Sequence, residues 1–388
     1  MASRKQITYQ SEVLYVGPTP ASGDHITASG ENLIKQLHRT QEFGLDTSMT
    51  RTDVNQFGQL ANIGRILEDI TVGMNFAYYL TDGYNEKALG LFVNNADTVT
   101  SDGNGGYRMV TPLSGFLSKA TDEKNYFSLT VGEGQDAILD VGSEYTEAQR
   151  TEHEVFAIGN GFISNYAMEA AVGGLARATV NIEAMNMKWE SNSSGKYIPA
   201  INSSGCEIQK EYFLPTAYES SSALMPMALK AGDIELNYFD GNTVGGTTLS
   251  TMKVQNLSVT IPIGREGLKE IGSRFAYSRE ITFPITATIS MSANISDITT
   301  GNLAKLYCED PEASLLFKLY TPECNADAGC GKGSPAMAYY IKGANITSQN
   351  FSNSVGARKT VDISWEVQMG GIGDYDKGVF ISGSDALL

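Results

Sequence analysis

Apolar and polar residues alternate strictly along several segments of the chain. In the longest, Ile281 to Ile295, every odd position is apolar and every even position is Thr, Pro, Ser or Asn. Because successive side chains of a strand point to opposite sides, this pattern predicts one strand with one face on a core and one polar face. Its 15 residues would span about 50 Å, and Pro284 favours an edge or a bulge.

Shorter segments with the same alternation predict further strands, at 70–78, 257–263 and 361–369. Helical signals are brief: the three-residue step from Leu268 to Ile271 predicts a helix over 265–275, and 302–307 adds one turn. Glycine-rich turns separate these segments, at 102–106, 172–174 and 240–242. The pattern therefore predicts a mainly β protein built from β-sandwiches or small barrels, each with a short flanking helix.

The second half of the sequence repeats part of the first. Residues 163–183 and 346–364 both contain Val-Gly followed by Ala-Arg-x-Thr-Val-x-Ile. The offset between these copies is 183 residues before Val-Gly and 181 after it, which predicts a two-residue slip in the turn. The matched residues are Val172, Gly173, Ala176, Arg177, Thr179, Val180 and Ile182 in the first copy, and Val355, Gly356, Ala357, Arg358, Thr360, Val361 and Ile363 in the second.

Further matches precede this one, in the same order in both halves. They pair 51–58 with 265–272 and Arg65 with Arg279 at an offset of 214, Ile70 with Ile281 at 211, and, more weakly, 125–129 with 313–317. Collinear matches with a falling offset are typical of a tandem duplication whose first copy has the longer loops. We predict two copies of one domain, 1–195 and 196–388, joined by a linker near 190–205.

Composition and charge narrow the function classes. The 388 residues carry 28 Lys and Arg against 44 Asp and Glu, a formal net charge of −16. This balance argues against binding to nucleic acid phosphates, because such binding needs cations. The N-terminal residues lack the apolar stretch of a signal peptide, and no segment has the ~18 apolar residues of a membrane helix. We therefore expect folding in the cytoplasm of the cell that makes the protein.

Cysteines and histidines give no catalytic or metal-binding signature. Cys324 and Cys330 lie in one loop that could close a small ring on oxidation, but free thiols in a reduced compartment are favoured. His153 starts like a zinc-protease helix but lacks the second His four residues later. His25 and His38 have no Cys or Ser motif near them. We expect a protein that is not an enzyme, with no catalytic residues, no cofactor and no metal.

Several segments in order carry a likeness to a known family. They are Gln56-Phe-Gly-Gln-Leu-Ala-Asn-Ile-Gly-Arg65, the strand 70–80 with Tyr84-Asn-Glu-Lys87 after it, Leu257-Ser-Val-Thr-Ile-Pro-Ile-Gly-Arg265 with Gly272-Ser-Arg274-Phe275 after it, and Gly343-Ala-Asn-Ile-Thr with Val361-Asp-Ile-Ser-Trp365. Together they resemble the major tail tube proteins of tailed bacteriophages, in a tandem-duplicated form, over nearly the whole chain. Residues 102–150 and 320–340 match least.

The resemblance implies a self-assembling tube. In that family each domain is a β-sandwich with a flanking helix, and long hairpins of adjacent subunits join into one barrel around a channel. Most members have one domain and form hexameric rings. A duplicated chain therefore implies a homotrimer with six domains in a pseudo-hexameric ring; the alternative is a hexamer with one domain on the tube and the other elsewhere.

The resemblance also implies partners and a location. The rings would stack into the tail tube of the virion, in contact with tape measure, tail tip and tail terminator proteins. Genomic DNA would pass through the lumen without specific binding during delivery into the host, and no membrane segment is involved. The protein would be made in the host cytoplasm.

Alternative functions follow from the same residues. Another virion assembly protein, such as a neck, capsid decoration or fibre component, is the main alternative. A carbohydrate-binding sandwich would need clustered exposed Trp and Tyr, whereas Trp189 and Trp365 fall near the predicted strand ends. The net charge of −16 has two interpretations: solubility, or carboxylates that line a channel and repel the DNA backbone.

Overall fold

The computed structural model is mainly β: strands make up 65% and helices 4% of the residues it describes. The predicted fold class is confirmed at this level. The described residues are 12–19, 34–95, 100–101, 107–117, 122–130, 154–191, 197–202, 204–209, 212, 214, 228–229, 234–238, 252–272, 275–295, 312–321, 335–352, 358–371 and 373–383.

The secondary structure runs through both halves of the chain. The first half contains β1 (Glu12–Pro18), β2 (Lys35–Gln36), β3 (Thr40–Val54), β4 (Gly64–Tyr79), α1 (Tyr84–Leu89), β5 (Thr100–Ser101), β6 (Tyr107–Arg108), α2 (Ser114–Leu117), β7 (Lys124–Thr130), β8 (Glu154–Ala171), β9 (Arg177–Ala184) and β10 (Asn186–Ser191). The second half contains β11 (Ile234–Tyr238), β12 (Met252–Pro262), β13 (Arg265–Leu268), β14 (Ser278–Ile281), β15 (Ile285–Ile295), β16 (Ala313–Tyr320), β17 (Pro335–Ser352), β18 (Thr360–Met369) and β19 (Gly378–Gly383).

A continuous antiparallel sheet of eight strands crosses both halves in the described part of the chain. Its order is β3-β4-β9-β8-β12-β15-β18-β17, and we call it the central sheet. The long strands β8 and β17 leave this sheet in their N-terminal parts. There β8 pairs with β7 and β10, and β17 pairs with β16 and β19, which forms two outer sheets. One cluster of buried apolar side chains, drawn from both halves, fills the space between the central and outer sheets.

Strict alternation gives the central sheet one buried and one polar face. In β18, Val361, Ile363 and Trp365 are buried, whereas Asp362 and Glu366, on the other face of the strand, are exposed. The same two-residue period runs along β9. Because paired residues of neighbouring strands share a face, the polar positions of all eight strands line the side of the sheet opposite the core.

Both halves pair their strands in the same order. The first half runs β3-β4-β9-β8-β7-β1 with β10 beside β8, and the second runs β12-β15-β18-β17-β16-β11 with β19 beside β17. Three register breaks recur in both halves. They are those at Ile163/Asn165 and Ile346/Ser348, at Lys124/Tyr126 and Ala313/Leu315, and at Thr40/Glu42 and Val254/Asn256. No sequence pattern predicts these bulges, so their recurrence is evidence independent of the sequence match. Equivalent bulges therefore define which residues of the two halves correspond.

Those correspondences correct part of the sequence alignment. Tyr166 lies opposite Val180, and Gln349 lies opposite Ile363, so the offset of 183 continues through the turn. The predicted two-residue slip is therefore wrong. After the turn, an alignment at an offset of 181 fits the apolar pattern as well as one at 183, because a shift of two residues keeps every side chain on the same face of a strand.

Two element predictions are also wrong. The 15-residue strand predicted for Ile281 to Ile295 is two strands, since β14 ends at Ile281 and β15 begins at Ile285. Pro284 lies in the break, where it can supply no backbone donor. The helix predicted over 265–275 does not form, because β13 pairs with β14 as a hairpin. Helices α1 and α2 lie in the first half, and the turn predicted at 302–307 lies outside the described residues.

Residues 198–201, within the segment near 190–205, are buried rather than exposed. Ile198 and Ala200 are fully buried in a second apolar cluster with Tyr15 and Phe127 of the first half. The division at 195 and 196 stays a prediction. His25, His153, Cys308, Cys324 and Cys330 lie outside the described residues, and Cys206 is a free, exposed thiol.

His38 is a buried group that links the turn before β3 to α1. Its backbone N–H donates to Asn85 Oδ1 and its carbonyl accepts from Asn85 Nδ2, both at 2.8 Å. Its ring stacks on Tyr84 with centroids 4.1 Å apart. Burial lowers the pKa of His38 from 6.5 to about 4, so the folded chain keeps this ring neutral well below neutral pH.

This lowered pKa predicts a pH dependence of stability. The unfolded chain takes up the proton near pH 6.5 and the folded chain only near pH 4. The stability contributed above pH 6.5 is therefore lost as the pH falls towards 4, by up to about 3 kcal/mol. In urea unfolding of the unassembled chain, His38→Phe should reduce the slope of stability against pH in this window. An unchanged slope would contradict the assignment.

Candidate assembly surfaces

Backbone pairing between β8 and β12 joins the two halves. Residues 165–171 of β8 pair antiparallel with 256–262 of β12, with Met168 opposite Val259. Both side chains are completely buried. We call this contact the internal junction; it makes the central sheet continuous from one half to the other.

A buried polar cluster lies beside the internal junction. The hydroxyls of Tyr78 and Tyr166 donate to Glu86 Oε1 at 2.8 and 3.1 Å, and the Tyr166 and Tyr339 hydroxyls are 2.7 Å apart. Burial raises the pKa of Glu86 and of all three tyrosines. Since Glu86 lies on α1 and Tyr339 on β17, the cluster ties the first half to the second.

An arginine clamp fixes the end of the second hairpin on the first half. We call 265–281 the second hairpin tip. Arg265 Nη1 and Nη2 donate to the two oxygens of Asp122 at 2.8 and 2.6 Å, and its Nε donates to the Ile163 carbonyl at 2.9 Å. The Arg265 side chain is completely buried, and its guanidinium lies 5.1 Å from the Phe162 ring centroid. Such bidentate geometry holds both position and orientation.

A second ion pair extends this contact. Arg279 Nη1 lies 2.9 Å from Glu183 Oε2, so β14 of the second half is tied to β9 of the first. Arg265 and Arg279 therefore hold the second hairpin tip on β8, on β9 and on the segment before β7 of the other half.

The corresponding tip in the first half is exposed. We call 51–67 the first hairpin tip. Arg51 lies opposite Leu67 as Arg265 lies opposite Ile281, so the two tips match residue by residue at an offset of 214. Gly58 and Gly272 share a positive φ, 86° and 95°. The first tip and its base expose seven large apolar side chains: Met49, Val54, Phe57, Leu60, Ile63, Ile66 and Leu67.

Each end of the central sheet has an unpaired edge in the described residues. β3 pairs only with β4, and 345–352 of β17 pair only with β18. Their counterparts, β12 and β8, are the two strands that pair with each other at the internal junction. Open edges of this kind are templates for pairing with another chain.

Side chains on these edges are exposed where their counterparts are buried. Met168 is 0% exposed, but its counterpart Phe351 is 49% exposed. In the outer sheets, Tyr339 of β17 is 0% exposed, whereas its counterpart Phe156 of β8 is 37% exposed and lines a cleft beside Leu45 of β3. On β3, Phe43 and Leu45 are only partly buried, whereas their counterparts Leu257 and Val259 are completely buried. The free edges thus carry apolar side chains suited to a contact like the internal junction.

The polar face of the central sheet is acidic outside the hairpin tips. Its described positions carry the acids Glu42, Asp46, Glu169, Glu183, Asp362 and Glu366, and the bases Arg177 and Lys253. Glu42 is paired with Arg177 and Glu183 with Arg279. The remaining positions are mostly Thr, Ser and Asn. This face is polar, and its excess of acidic side chains repels anions.

The predicted chemistry can be placed only in part. The described residues hold no group of three or more side chains suited to a metal ion, and no helix among them has the length and apolar character needed to cross a bilayer. Trp365 is buried in the middle of β18 rather than near a strand end, while Trp189 on β10 is 67% exposed. The absence of enzymatic activity stays a prediction.

The sequence predicts the match between the arginines of the two tips but not their ion pairs. Arg51 and Arg65 correspond to Arg265 and Arg279 in the repeat. The acceptors Asp122 and Glu183 lie far away in sequence, so no local pattern could reveal the ion pairs. A search of the chain against profiles of protein families gives no match, and a comparison with curated protein sequences gives none either.

The arginine clamp predicts a large asymmetry between the two matched arginines. Arg265→Met should lower the free energy of unfolding by about 3–5 kcal/mol, because it leaves the Asp122 carboxylate without its partner. Arg51→Met should change it little, because Arg51 is exposed. Adding Asp122→Leu to Arg265→Met should recover part of the loss. Denaturant unfolding of the unassembled chain measures all three; equal effects of the two arginine variants would contradict the clamp.

Proposed function

We propose that this protein is the structural subunit of a bacteriophage tail tube. Its chains join edge to edge into closed rings, and the rings stack around a channel through which the genome is delivered. The observation that carries the proposal is the internal junction, because both of its strands have unpaired counterparts at the two ends of the same sheet. The likeness of the repeated segments to tail tube proteins supports it.

The internal junction supplies a register for the contact between chains. Transferring its pairing to the free edges places Leu45 of β3 opposite Phe351 of β17 in the neighbouring chain. Asp46 then lies opposite Asn350, on the polar face. Phe351 would cover the apolar cleft that Leu14, Phe43, Leu45 and Phe156 line at this edge.

Such a contact is heterologous, since one end of the chain binds the opposite end of the next. Heterologous contacts generate either rings or open filaments. Each chain brings eight strands of the central sheet, so three chains give a wall of 24 strands. At about 4.8 Å per strand its diameter is at least about 37 Å, wider than a 16-stranded porin channel.

The polar face of the central sheet then lines the lumen. Strand closure puts one face of the sheet inside, and the outer sheets of both halves already cover the other face. Asp46, Glu169, Asp362 and Glu366 would repel the phosphate backbone of DNA, which suits passage without binding. In the proposed tube, the net charge of −16 keeps DNA from adhering to the wall, in addition to its effect on solubility.

The finer parts of the proposal follow from this arrangement. The two halves act as duplicated tail-tube-like domains, 1–195 and 196–388, and three chains form a pseudo-hexameric ring. The exposed tips at Phe57 and Ile271 are available to neighbouring rings or to tape measure, tail tip and terminator proteins. The protein then resides in the virion tail.

Electron microscopy and light scattering of the purified protein test the proposal. We expect rings with a central hole, three-fold symmetry and three times the 41.8 kDa chain mass. Six chains per ring would favour the alternative with one domain on the tube. A monodisperse monomer at all concentrations would overturn the proposal.

Charged substitutions at the free edges test the contact itself. Leu45→Lys or Phe351→Lys should abolish ring formation, because a Lys ammonium would be buried without a partner in the joint. Both positions are partly exposed in the single chain, so the variants should still fold. Trp189→Lys, at an exposed position on an outer sheet, serves as a matched control that still assembles. Rings formed equally well by all three variants would exclude these edges.

The lumen assignment gives a further expected outcome. Tubes that combine Asp46→Lys, Glu169→Lys and Asp362→Lys should bind short duplex DNA, with an affinity that falls steeply as salt increases. Wild-type tubes should bind none. A variant that assembles but binds no more DNA than wild type would show that these side chains do not face the lumen.

A further inference from the structure

We infer that Arg65 of one copy forms an ion pair with Glu366 of the neighbouring copy, as the first hairpin tip docks across the neighbour's second half. The inference rests on the proposed ring and adds to it a specific ion pair between neighbouring copies. The partner is a second copy of this chain, and the surface is the polar side of β17 and β18 near Ile346.

The arginine clamp and the pair next to it provide the template. Within one chain, the second hairpin tip docks on the first half through Arg279 and Glu183, 2.9 Å apart. Arg279 corresponds to Arg65 in the matched register of the two tips. Glu183 corresponds to Glu366, because their strands keep the offset of 183. Both members of the pair are thus present again, with the same charges.

The backbone acceptor of the clamp also has a counterpart. Arg265 donates to the carbonyl of Ile163, at the bulge in β8. Arg51 occupies the position of Arg265, and Ile346 occupies that of Ile163 at the equivalent bulge in β17. Docking of the first hairpin tip therefore brings Arg65 to Glu366 and Arg51 to the carbonyl of Ile346.

Arg65 and Glu366 cannot meet within one chain. Arg65 lies on β4 and Glu366 on β18, with β9, β8, β12 and β15 between them in the central sheet. At about 4.8 Å per strand this separation is roughly 24 Å. Closure of the sheet with a second copy places the first tip next to the neighbour's β17 and β18, so the pair forms only between copies.

Both side chains are available for this contact. Glu366 is exposed on the polar face. Arg65 is 62% exposed and pairs with Asp53, itself 44% exposed, at 2.9 Å. An exposed pair of this kind is weak, so exchanging Asp53 for Glu366 in a less exposed joint favours the assembled state.

Charge reversal tests the pair. Arg65→Glu and Glu366→Arg should each weaken ring formation by about tenfold or more, because each puts like charges together in the joint. The double variant Arg65→Glu with Glu366→Arg should restore most of the association. Asp362→Arg is the matched control. Asp362 lies on the same face of the same strand, and the proposed docking places no arginine beside it, so this variant should assemble normally. Light scattering across a concentration series gives the apparent association constants.

The outcomes separate this inference from the proposed function. Wild-type rings together with unaffected single variants would overturn the ion pair and leave the ring intact. Weakened single variants without rescue in the double variant would also overturn the pair. Failure of the wild-type chain to form rings would instead overturn the proposed function on which the inference rests.

Discussion

Backbone hydrogen bonding between β8 and β12 is the contact on which the rest of the structure depends. It makes one central sheet from two halves, and it lets a single apolar cluster extend through both. The Glu86 and Tyr339 cluster and the Arg265 clamp add buried polar contacts between the same two halves. Without this pairing, β8 and β12 would each present an open edge, as β17 and β3 do in the single chain.

Equivalent side chains are buried inside the central sheet and partly exposed at its ends. Met168 is buried at the internal junction, whereas its counterpart Phe351 is 49% exposed at a free edge. In the proposed ring, the same contact would occur within a chain and again between chains, so one set of interface chemistry would serve both. A chain with two such halves would hold every second contact covalently, which lowers the number of association steps needed to close the ring.

Much of the strand pattern could be predicted from the sequence, because alternation reports directly on a sheet with one buried face. The strands around Val72, Val259 and Ile363 illustrate this. The break at Pro284 is not predictable because alternation continues through it, and the hairpin at 265–281 is not because the step from Leu268 to Ile271 resembles a helix. The pairing of Arg265 with Asp122 depends on chain segments 143 residues apart, so only the folded chain reveals it.

A reconstruction of the assembled protein by cryo-electron microscopy tests the central claim most directly. We predict a closed ring of three chains in which β3 of each chain pairs antiparallel with β17 of the next. Leu45 should lie opposite Phe351, and the acidic face should line the channel. A ring in which β3 and β17 remain unpaired, or in which the central sheet turns its polar face outwards, would contradict this account.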